Sequence, residues 1–166
     1  MTQQTRDPGL ARVLTSEAGE QSSLGGCTDR FMIDSADTGG RFSLVQQTLE
    51  PRALAAPLHR HRNEDEYSYV LSGRIGAMLG SEEVFGEPGD LIFKPRNQWH
   101  TFWNAGDEPA SILEIISSAG LEELFRSFGT MPDPDPETLM AMAAEYGCDV
   151  DFEGTMPIVE RHSLDF

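Results

Sequence analysis

Positive charge is scarce in this sequence of 166 residues, where 12 Lys and Arg residues stand against 28 Asp and Glu residues. The formal net charge is −16, and Lys94 is the single lysine. Because a field of this sign repels phosphate groups, nucleic acids and anionic membrane surfaces are excluded as main partners. The excess of acid is typical of a well-solvated surface.

Cysteine is scarce as well, since the chain has only Cys27 and Cys148 and they form no CxxC pattern. This favours two reduced thiols in a cytoplasmic protein over a disulfide framework. The N-terminus lacks the apolar segment of a signal peptide, and no apolar run approaches the roughly 20 residues of a spanning helix. We therefore expect a single domain, of a size that folds without disulfides.

Short strands are predicted from residue 10 to residue 118, after a polar segment, residues 1–9, that we expect to be disordered. Apolar and β-branched residues form brief runs separated by Gly, Pro, Asn and Asp. Strands at such short, regular spacing predict an all-β sandwich or barrel. The runs are Phe31 to Ile33, Phe42 to Leu49, Tyr67 to Leu71, Ile75 to Leu79, Leu91 to Phe93, Thr101 to Trp103 and Ile112 to Ile116.

The pattern becomes helical after this region. Apolar residues recur at helical spacing between Leu121 and Phe128, with Ser118 as the expected N-cap. A second helix is predicted after Asp135, which is a suitable cap. We therefore predict that residues 119–166 form an extension with two short α-helices and an acidic tail of unassigned structure.

Three of the four histidines occur in a pattern that suits a metal ion. His59 and His61 are two residues apart, so in a strand their side chains point to the same side. A chain that turns after His61 can bring Glu66 to the same ion, and His100 opens a later strand. Three imidazoles and one carboxylate suit Fe²⁺, Mn²⁺, Co²⁺, Ni²⁺ or Zn²⁺ and leave coordination positions open. The fourth histidine, His162, lies in the acidic tail and is expected to face solvent.

The first part of this pattern resembles the first motif of the cupin family. The segment has His59 and His61 separated by one residue, then Glu66 after four residues, and Gly73 after six more. The glycine that cupins usually have six positions before the first histidine is replaced by Ala53. This departure lies at a turn and not at a ligand.

A second segment resembles the second cupin motif. It runs from Gly89 through Pro95 to His100 and then to Asn104. The glycine usually found two residues after the proline is replaced by Asn97, a residue type that tolerates left-handed backbone geometry. Two such motifs in order, with every ligand type at the expected spacing, are far more specific than one His-x-His.

The resemblance implies a jelly-roll (double-stranded β-helix) barrel with one divalent metal ion inside, followed by the two predicted helices. It implies that His59, His61, Glu66 and His100 are the ligands, and that the protein is a homodimer. Glu64 and Asp65 compete with Glu66 in the same acidic triplet, but only Glu66 has the six-residue distance to Gly73.

Counting alternate residues along the strands yields candidates for a substrate pocket. If Glu66 and His100 point inward, then Ser68, Val70 and Phe102 point inward too. Four further residues could line the cavity, although the sequence does not fix which face they occupy: Gln46, Met78, Phe93 and Trp99.

The leading functional hypothesis is an oxygenase, similar to small quercetin dioxygenase-like cupins, that acts on an enolic or phenolic substrate. Fe²⁺ is the expected metal, and Glu66 is expected to serve both as ligand and as general base. One alternative is an isomerase, decarboxylase or cyclase of a polyketide-like intermediate. Another is a cupin that binds a small molecule without chemistry.

Overall fold

Strands make up most of the described chain, which comprises residues 10–118, 120–131 and 135–166 of a computed structural model. The prediction of disorder for residues 1–9 lies outside these ranges. The strands are β1 (Glu20–Leu24), β2 (Cys27–Ile33), β3 (Phe42–Leu49), β4 (Leu58–His61), β5 (Asp65–Ser72), β6 (Ile75–Leu79), β7 (Glu82–Gly86), β8 (Leu91–Lys94), β9 (His100–Asn104), β10 (Ala110–Ser117) and β11 (Cys148–Asp151). The helices are a 3₁₀ turn (Ser35–Thr38), α1 (Leu121–Phe128), α2 (Pro136–Glu145) and α3 (Phe152–His162).

Two antiparallel sheets face each other. One has the strand order β1-β2-β3-β10-β5-β8, and the other has the order β11-β4-β9-β6-β7. Because successive strands often belong to different sheets, the chain repeatedly crosses from one sheet to the other, as in a jelly roll. The predicted all-β jelly-roll barrel is confirmed.

The core lies between the sheets. In β3, buried and partly buried residues alternate, with Val45, Gln47 and Leu49 on the buried side. Side chains from both sheets, including Val70, Ile75, Ile92 and Ile112, pack with Leu49 at one end of the barrel. The helices cover the other end, where Phe31, Val45 and Ile116 contact Leu121, Leu124 and Ala143.

The helical extension differs from the prediction in two respects. The N-cap of α1 is Gly120, whereas Ser118 has a left-handed φ of 73° and does not cap. The tail, which the sequence pattern left unassigned, contributes the third helix, α3, and the strand β11, which pairs with β4. For α2 the prediction holds, because the Asp135 side chain accepts a hydrogen bond from the Thr138 amide.

The two positions that depart from the cupin pattern are accommodated locally. Asn97 has a φ of 64°, the left-handed geometry that its side chain tolerates. Ala53 is buried, and a Cβ at Gly26 would lie only 2.6 Å from its methyl group. Gly26 therefore provides the space that the additional methyl group of Ala53 occupies.

Both cysteines are buried and free, in agreement with the prediction of reduced thiols. Within the described ranges, the structure has no helix of the length and apolarity that crossing a membrane requires.

Candidate metal centre

Four side chains converge inside the barrel. His59 and His61 come from β4, and His100, which lies directly opposite His59, comes from β9 in the same sheet. Glu66 reaches them from β5 in the facing sheet. All four side chains are buried, and their ligand atoms lie within 4.8 Å of one another. The structure thus brings together the four ligands that the sequence predicts.

The local sequence explains why these residues meet. A short turn after His61 sends the chain from one sheet into the other, so that Glu66 faces back across the interior. Of the three acids, Asp65 points outward and pairs with Arg96 at 2.7 Å, Glu64 is buried but lies outside the cluster, and Glu66 joins the three histidines. The Asn97 amide donates a 2.7 Å hydrogen bond to the His61 carbonyl, which ties the second motif to the first.

Backbone carbonyls orient two of the imidazoles. Nδ1 of His59 lies 2.7 Å from the Pro57 carbonyl oxygen, and Nδ1 of His100 lies 3.0 Å from that of Gln98. Because a carbonyl only accepts hydrogen bonds, each Nδ1 carries the proton and each Nε2 keeps a free electron pair. This arrangement is the usual one for histidines that bind metal through Nε2.

The surroundings of His61 and Glu66 also suit a metal ion. Among the described residues, neither ring nitrogen of His61 has a hydrogen-bond partner, although the side chain is buried. Glu66 Oε2 lies 3.4 Å from Nε2 of His61 and 3.1 Å from Nε2 of His100. An unpaired polar group in the interior is costly, and an ion at this point would satisfy it.

The electrostatics of the cluster favour a positive charge at its centre. Burial lowers the pKa of His59, and the neighbouring imidazoles lower it further, so this ring is neutral. Burial opposes ionisation of Glu66, yet Lys94 and His61 hold its pKa well below the usual range. Burial also lowers the pKa of His61, but the charge of Glu66 outweighs this and raises it to about 10. A divalent ion would displace the proton that His61 holds beside the ionised Glu66, because a metal binds the neutral imidazole.

Behind Glu66 lies a charged network that the sequence analysis missed. The fully buried Lys94 places Nζ 3.2 Å from Glu66 Oε2 and 2.9 Å from Glu114 Oε2. Ser68 donates to the same Glu114 oxygen at 2.6 Å, and burial raises the pKa of Glu114. The sequence contains one signal of this network, which is a charged residue within an apolar strand. Lys94 is two residues from Ile92 and so shares its face, and Glu114 lies in the apolar run Ile112 to Ile116.

A cavity of about 110 Å³ adjoins the cluster, and His59, His61 and Glu66 form part of its wall. The helical extension covers it with apolar side chains of α1 and α2, which are Leu124, Phe125, Phe128, Leu139 and Ala143. Its remaining polar side chains come from Asp29 and Gln47, along with the two cysteines. The extension therefore covers the cavity beside the cluster, a role that the sequence left open.

Three of the predicted pocket residues lie on the inner side of the barrel. Phe102 lines the cavity, as expected from its parity with His100. Ser68 is buried but turns toward Glu114, and Val70 packs in the hydrophobic core. Neither of these two residues lines the cavity.

The other four predicted pocket residues lie elsewhere. Gln46 accepts from the Arg30 guanidinium at 2.7 Å and donates to Ser111, and its neighbour Gln47 takes the inward position. Phe93 is exposed on the outer face of its sheet and stacks on Tyr67. Met78 packs near Trp103, and Trp99 lies under Arg60. The sequence did not fix which way these four side chains point, and the structure places all of them away from the cavity.

His162 is separate from the cluster, as expected, but it does not project freely into solvent. Its ring lies 4.6 Å from that of Trp103, and its Nε2 is 3.0 Å from Glu83 Oε2. Only 19% of the side chain is exposed. The ring helps to hold α3 against the barrel.

Comparison with known proteins agrees with this architecture. The family model described as "Cupin domain" matches residues 45–116. Tetracenomycin polyketide synthase protein TcmJ of Streptomyces glaucescens is 25% identical over 126 residues, which are 76% of this chain and 84% of that protein. Oxalate decarboxylase OxdC of Bacillus subtilis is 36% identical over 74 residues, which are 42% of this chain. The match spans only 19% of the length of OxdC.

Solved structures share the fold. KdgF from Halomonas sp. superposes with a TM-score of 0.61 at 15% identity, over 69% of this chain and 99% of that one. A structure of OxdC, a protein with Mn(II) centres, superposes with a TM-score of 0.54 at 26% identity, over 61% of this chain and 28% of that one. The cupin domain model thus matches residues 45–116, and the chain has the jelly-roll fold of a cupin barrel.

Proposed function

We propose that this protein is a metal-dependent enzyme that acts on a small, neutral, enolic or phenolic molecule. One observation carries the proposal: a largely apolar cavity opens directly onto a buried cluster of three imidazoles and one carboxylate. A cavity with few polar groups beside a potential metal is typical of a small-molecule site.

Several divalent ions suit the donor set. Fe²⁺ remains our first candidate because it accompanies the oxygenase hypothesis, and Mn²⁺ has the support of the Mn(II) centres in the similar OxdC. His59, His61, Glu66 and His100 would hold the ion. When bound, it would act as a Lewis acid toward a substrate oxygen and favour loss of that oxygen's proton.

The chain's own residues prepare the site for this chemistry. The carbonyls of Pro57 and Gln98 fix the rings of His59 and His100. The ionised Glu66 serves as ligand and accepts the proton of a substrate hydroxyl, while Lys94 keeps it deprotonated. The apolar side chains of α1 and α2 exclude water and position a ring-shaped ligand.

The charge of the cavity favours a neutral substrate over a small dianion. Asp29 and Glu66 both line it, and among the described residues that form its wall there is no Arg or Lys. Apart from the metal centre, no Arg or Lys of the described wall would balance a dianion such as oxalate, and the Asp29 carboxylate would repel it. The decarboxylase activity in the name of OxdC is therefore a poor guide to this chain's substrate.

Two reaction types fit a substrate activated in this way. An oxygenase reaction, quercetin dioxygenase-like, is the first candidate because three imidazoles and one carboxylate leave positions open for a second reactant. Isomerisation, decarboxylation or cyclisation of a polyketide-like intermediate is the second, and the similarity to the polyketide synthase protein TcmJ over 76% of the chain favours it.

Metal analysis and oxygen uptake test the function and separate the reactions. We expect about one divalent ion per chain, and turnover of members of a panel of flavonols and 1,3-diketones that His59→Ala abolishes. Dioxygen consumption in step with turnover supports the oxygenase, and an undiminished anaerobic rate supports the second candidate. A protein that binds no metal, or a His59→Ala variant with full turnover, would contradict the proposal, whereas ligand binding without any turnover would indicate a binding protein.

The homodimeric state and the cytoplasmic location belong to the same proposal. The two free, buried cysteines favour a reducing compartment. Exposed apolar side chains on β5 and β8 favour association with a second copy of the chain.

A further inference from the structure

A second polar pair faces the cavity from the sheet that does not carry the three histidines. Asp29 on β2 and Gln47 on β3 lie directly opposite each other in the strand register. The Gln47 side-chain amide donates a 2.8 Å hydrogen bond to Asp29 Oδ1. The Cys27 thiol points to the same oxygen at 3.9 Å, a weak interaction.

Asp29 and Gln47 have hydrogen-bond acceptor atoms at the cavity wall, and the described residues do not donate to all of them. Gln47 is buried, with 6% of its surface exposed, and its Oε1 has no hydrogen-bond partner among the described residues. Asp29 accepts the hydrogen bonds from Gln47 and Cys27 through the same oxygen, Oδ1. A buried amide oxygen without a donor costs free energy, so a ligand that brings an O–H group would relieve the cost.

No described Arg or Lys side chain balances the Asp29 carboxylate within the cavity. The polar and titratable residues that share the cavity wall with it are Gln47 and Cys27 on its own sheet, and His59, His61, Glu66 and Cys148 on the other strands. Burial raises the pKa of Asp29 to about 6, against the smaller opposing effects of Gln47 and Cys27. The carboxylate is therefore ionised at neutral pH yet poorly solvated, which makes it a strong acceptor for a hydroxyl group.

The size of the cavity indicates what carries this hydroxyl. Its volume of about 110 Å³ is of the same order as the roughly 150 Å³ apolar cavity that accommodates benzene. The apolar side chains of α1 and α2, together with Phe102, would contact the faces of one ring. The metal cluster and the Asp29–Gln47 pair would then contact substituents of that ring.

We propose that Asp29 and Gln47 form a substrate-recognition subsite that binds a hydroxyl group of a ring-shaped phenol or enol bearing at least two oxygen substituents. Asp29 and Gln47 accept hydrogen bonds from this hydroxyl, while another oxygen of the ring faces the metal centre. For the position of that other oxygen we rely on the proposed function. The substrate is thus a polyhydroxylated ring rather than a monophenol or a carboxylic acid.

Three probes that share one ring test the subsite: resorcinol, 3-methoxyphenol and 1,3-dimethoxybenzene, which offer two, one and no hydroxyl donors. Their dissociation constants are measured by NMR titration of the full chain after metal removal with EDTA. We expect resorcinol to bind at least about tenfold more tightly than 1,3-dimethoxybenzene, because a hydrogen bond to a charged acceptor contributes that much. Equal affinities for the three probes, or no binding of resorcinol at its solubility limit, would overturn the subsite.

Variants of Asp29 and Gln47 test whether these two residues cause the preference for resorcinol. Replacing both partners, in Asp29→Leu/Gln47→Leu, leaves no orphaned polar group and should bring the affinity ratio close to one. Asp29→Asn keeps the shape, loses the charge and should lower the ratio about threefold or more, which provides a second readout if the double variant fails to fold. The control Gln46→Leu changes the same residue type on the opposite face of β3 and should keep the wild-type ratio. A ratio unchanged in both Asp29 variants would contradict the assignment.

A parallel titration with zinc chloride separates this subsite from the proposed function. A resorcinol preference that persists in a protein unable to bind zinc supports the subsite and contradicts the metal-dependent function. Stoichiometric zinc binding without any preference among the probes supports the metal centre and overturns the subsite.

Discussion

Lys94 Nζ lies 3.2 Å from Glu66 Oε2, so a fully buried cation contacts a candidate metal ligand. The same ammonium group lies 2.9 Å from Glu114, and it sits over the ring of Phe102 at 4.3 Å. The only lysine of the chain therefore forms ion pairs with two buried carboxyl groups inside the barrel. It keeps Glu66 ionised for a metal, and it competes with that metal for the same oxygen.

Removal of this lysine should destabilise the protein strongly. In Lys94→Met, Glu66 and Glu114 remain buried without their cation, and an uncompensated buried charge costs about 3–5 kcal/mol. Urea denaturation of the metal-free protein measures this loss. In the variant Lys94→Met/Glu114→Gln the Glu114 carboxyl no longer has to take up a proton or stay buried as an unpaired charge, and we expect it to be at least as stable as the single variant. A single variant within about 1 kcal/mol of wild type would show that Lys94 does not neutralise this network.

Metal loading should stabilise the folded chain through the four ligands. A ligand at 100 times its dissociation constant adds about 2.7 kcal/mol, which corresponds to a rise in Tm of roughly 5–10 °C for a chain of this size. His61→Ala should abolish most of this rise, because neither ring nitrogen of His61 is used in a hydrogen bond among the described residues. His162→Gln is the matched control, since His162 contacts Trp103 and Glu83 rather than the cluster. An equal rise in Tm for His61→Ala and wild type would place the metal elsewhere.

The sequence predicts the metal centre well because its ligands lie in local patterns. Strand alternation places His59 and His61 on the same side, and the resemblance to the cupin motifs selects Glu66 among its acidic neighbours. Gln46 and Gln47 show where this reasoning fails: β3 has apolar residues on both faces, so its pattern does not reveal which glutamine points inward. The register with Asp29 decides, and that register is a long-range property.

The extension beyond residue 118 was harder to predict for a related reason. Helices α1 and α2 follow from their periodicity, and only the cap of α1 was misplaced. Strand β11, with the short sequence Cys148 to Asp151, acquires its structure by pairing with β4 and has no strong propensity of its own. The covering of the cavity by Leu124 and Phe125 depends on tertiary packing, which periodicity does not specify.

The homodimer implied by the resemblance can be tested on one exposed surface. Tyr69 and Leu91 are neighbours across β5 and β8, and both are exposed, as are Leu71 and Phe93 nearby. Strand β8 is the edge of its sheet, so a second copy of the chain could cover this face. Phe93→Asp should shift sedimentation from dimer toward monomer, whereas Phe85→Asp, an exposed residue on the other sheet, should not. A dimer unaffected by Phe93→Asp would exclude this surface.

The pH dependence of stability provides a test of the buried state of Asp29 that needs no ligand. Burial raises its pKa from 3.8 to about 6, so the folded protein binds this proton more tightly than the unfolded chain does. The contribution of Asp29 to the free energy of unfolding is therefore fully present below about pH 4 and is lost as pH rises through 6. The total loss is about 3 kcal/mol. Asp29→Asn should match wild type in urea denaturation at pH 4 and exceed it at pH 7.5.

Asp149→Asn is a control of opposite sign: the hydrogen bonds from Arg62 and Arg60 lower the pKa of Asp149, so its loss should destabilise the protein at neutral pH. If Asp29→Asn gave no gain between pH 4 and pH 7.5, the carboxylate would be well solvated, and the cavity wall would lack the acceptor that the hydroxyl subsite requires.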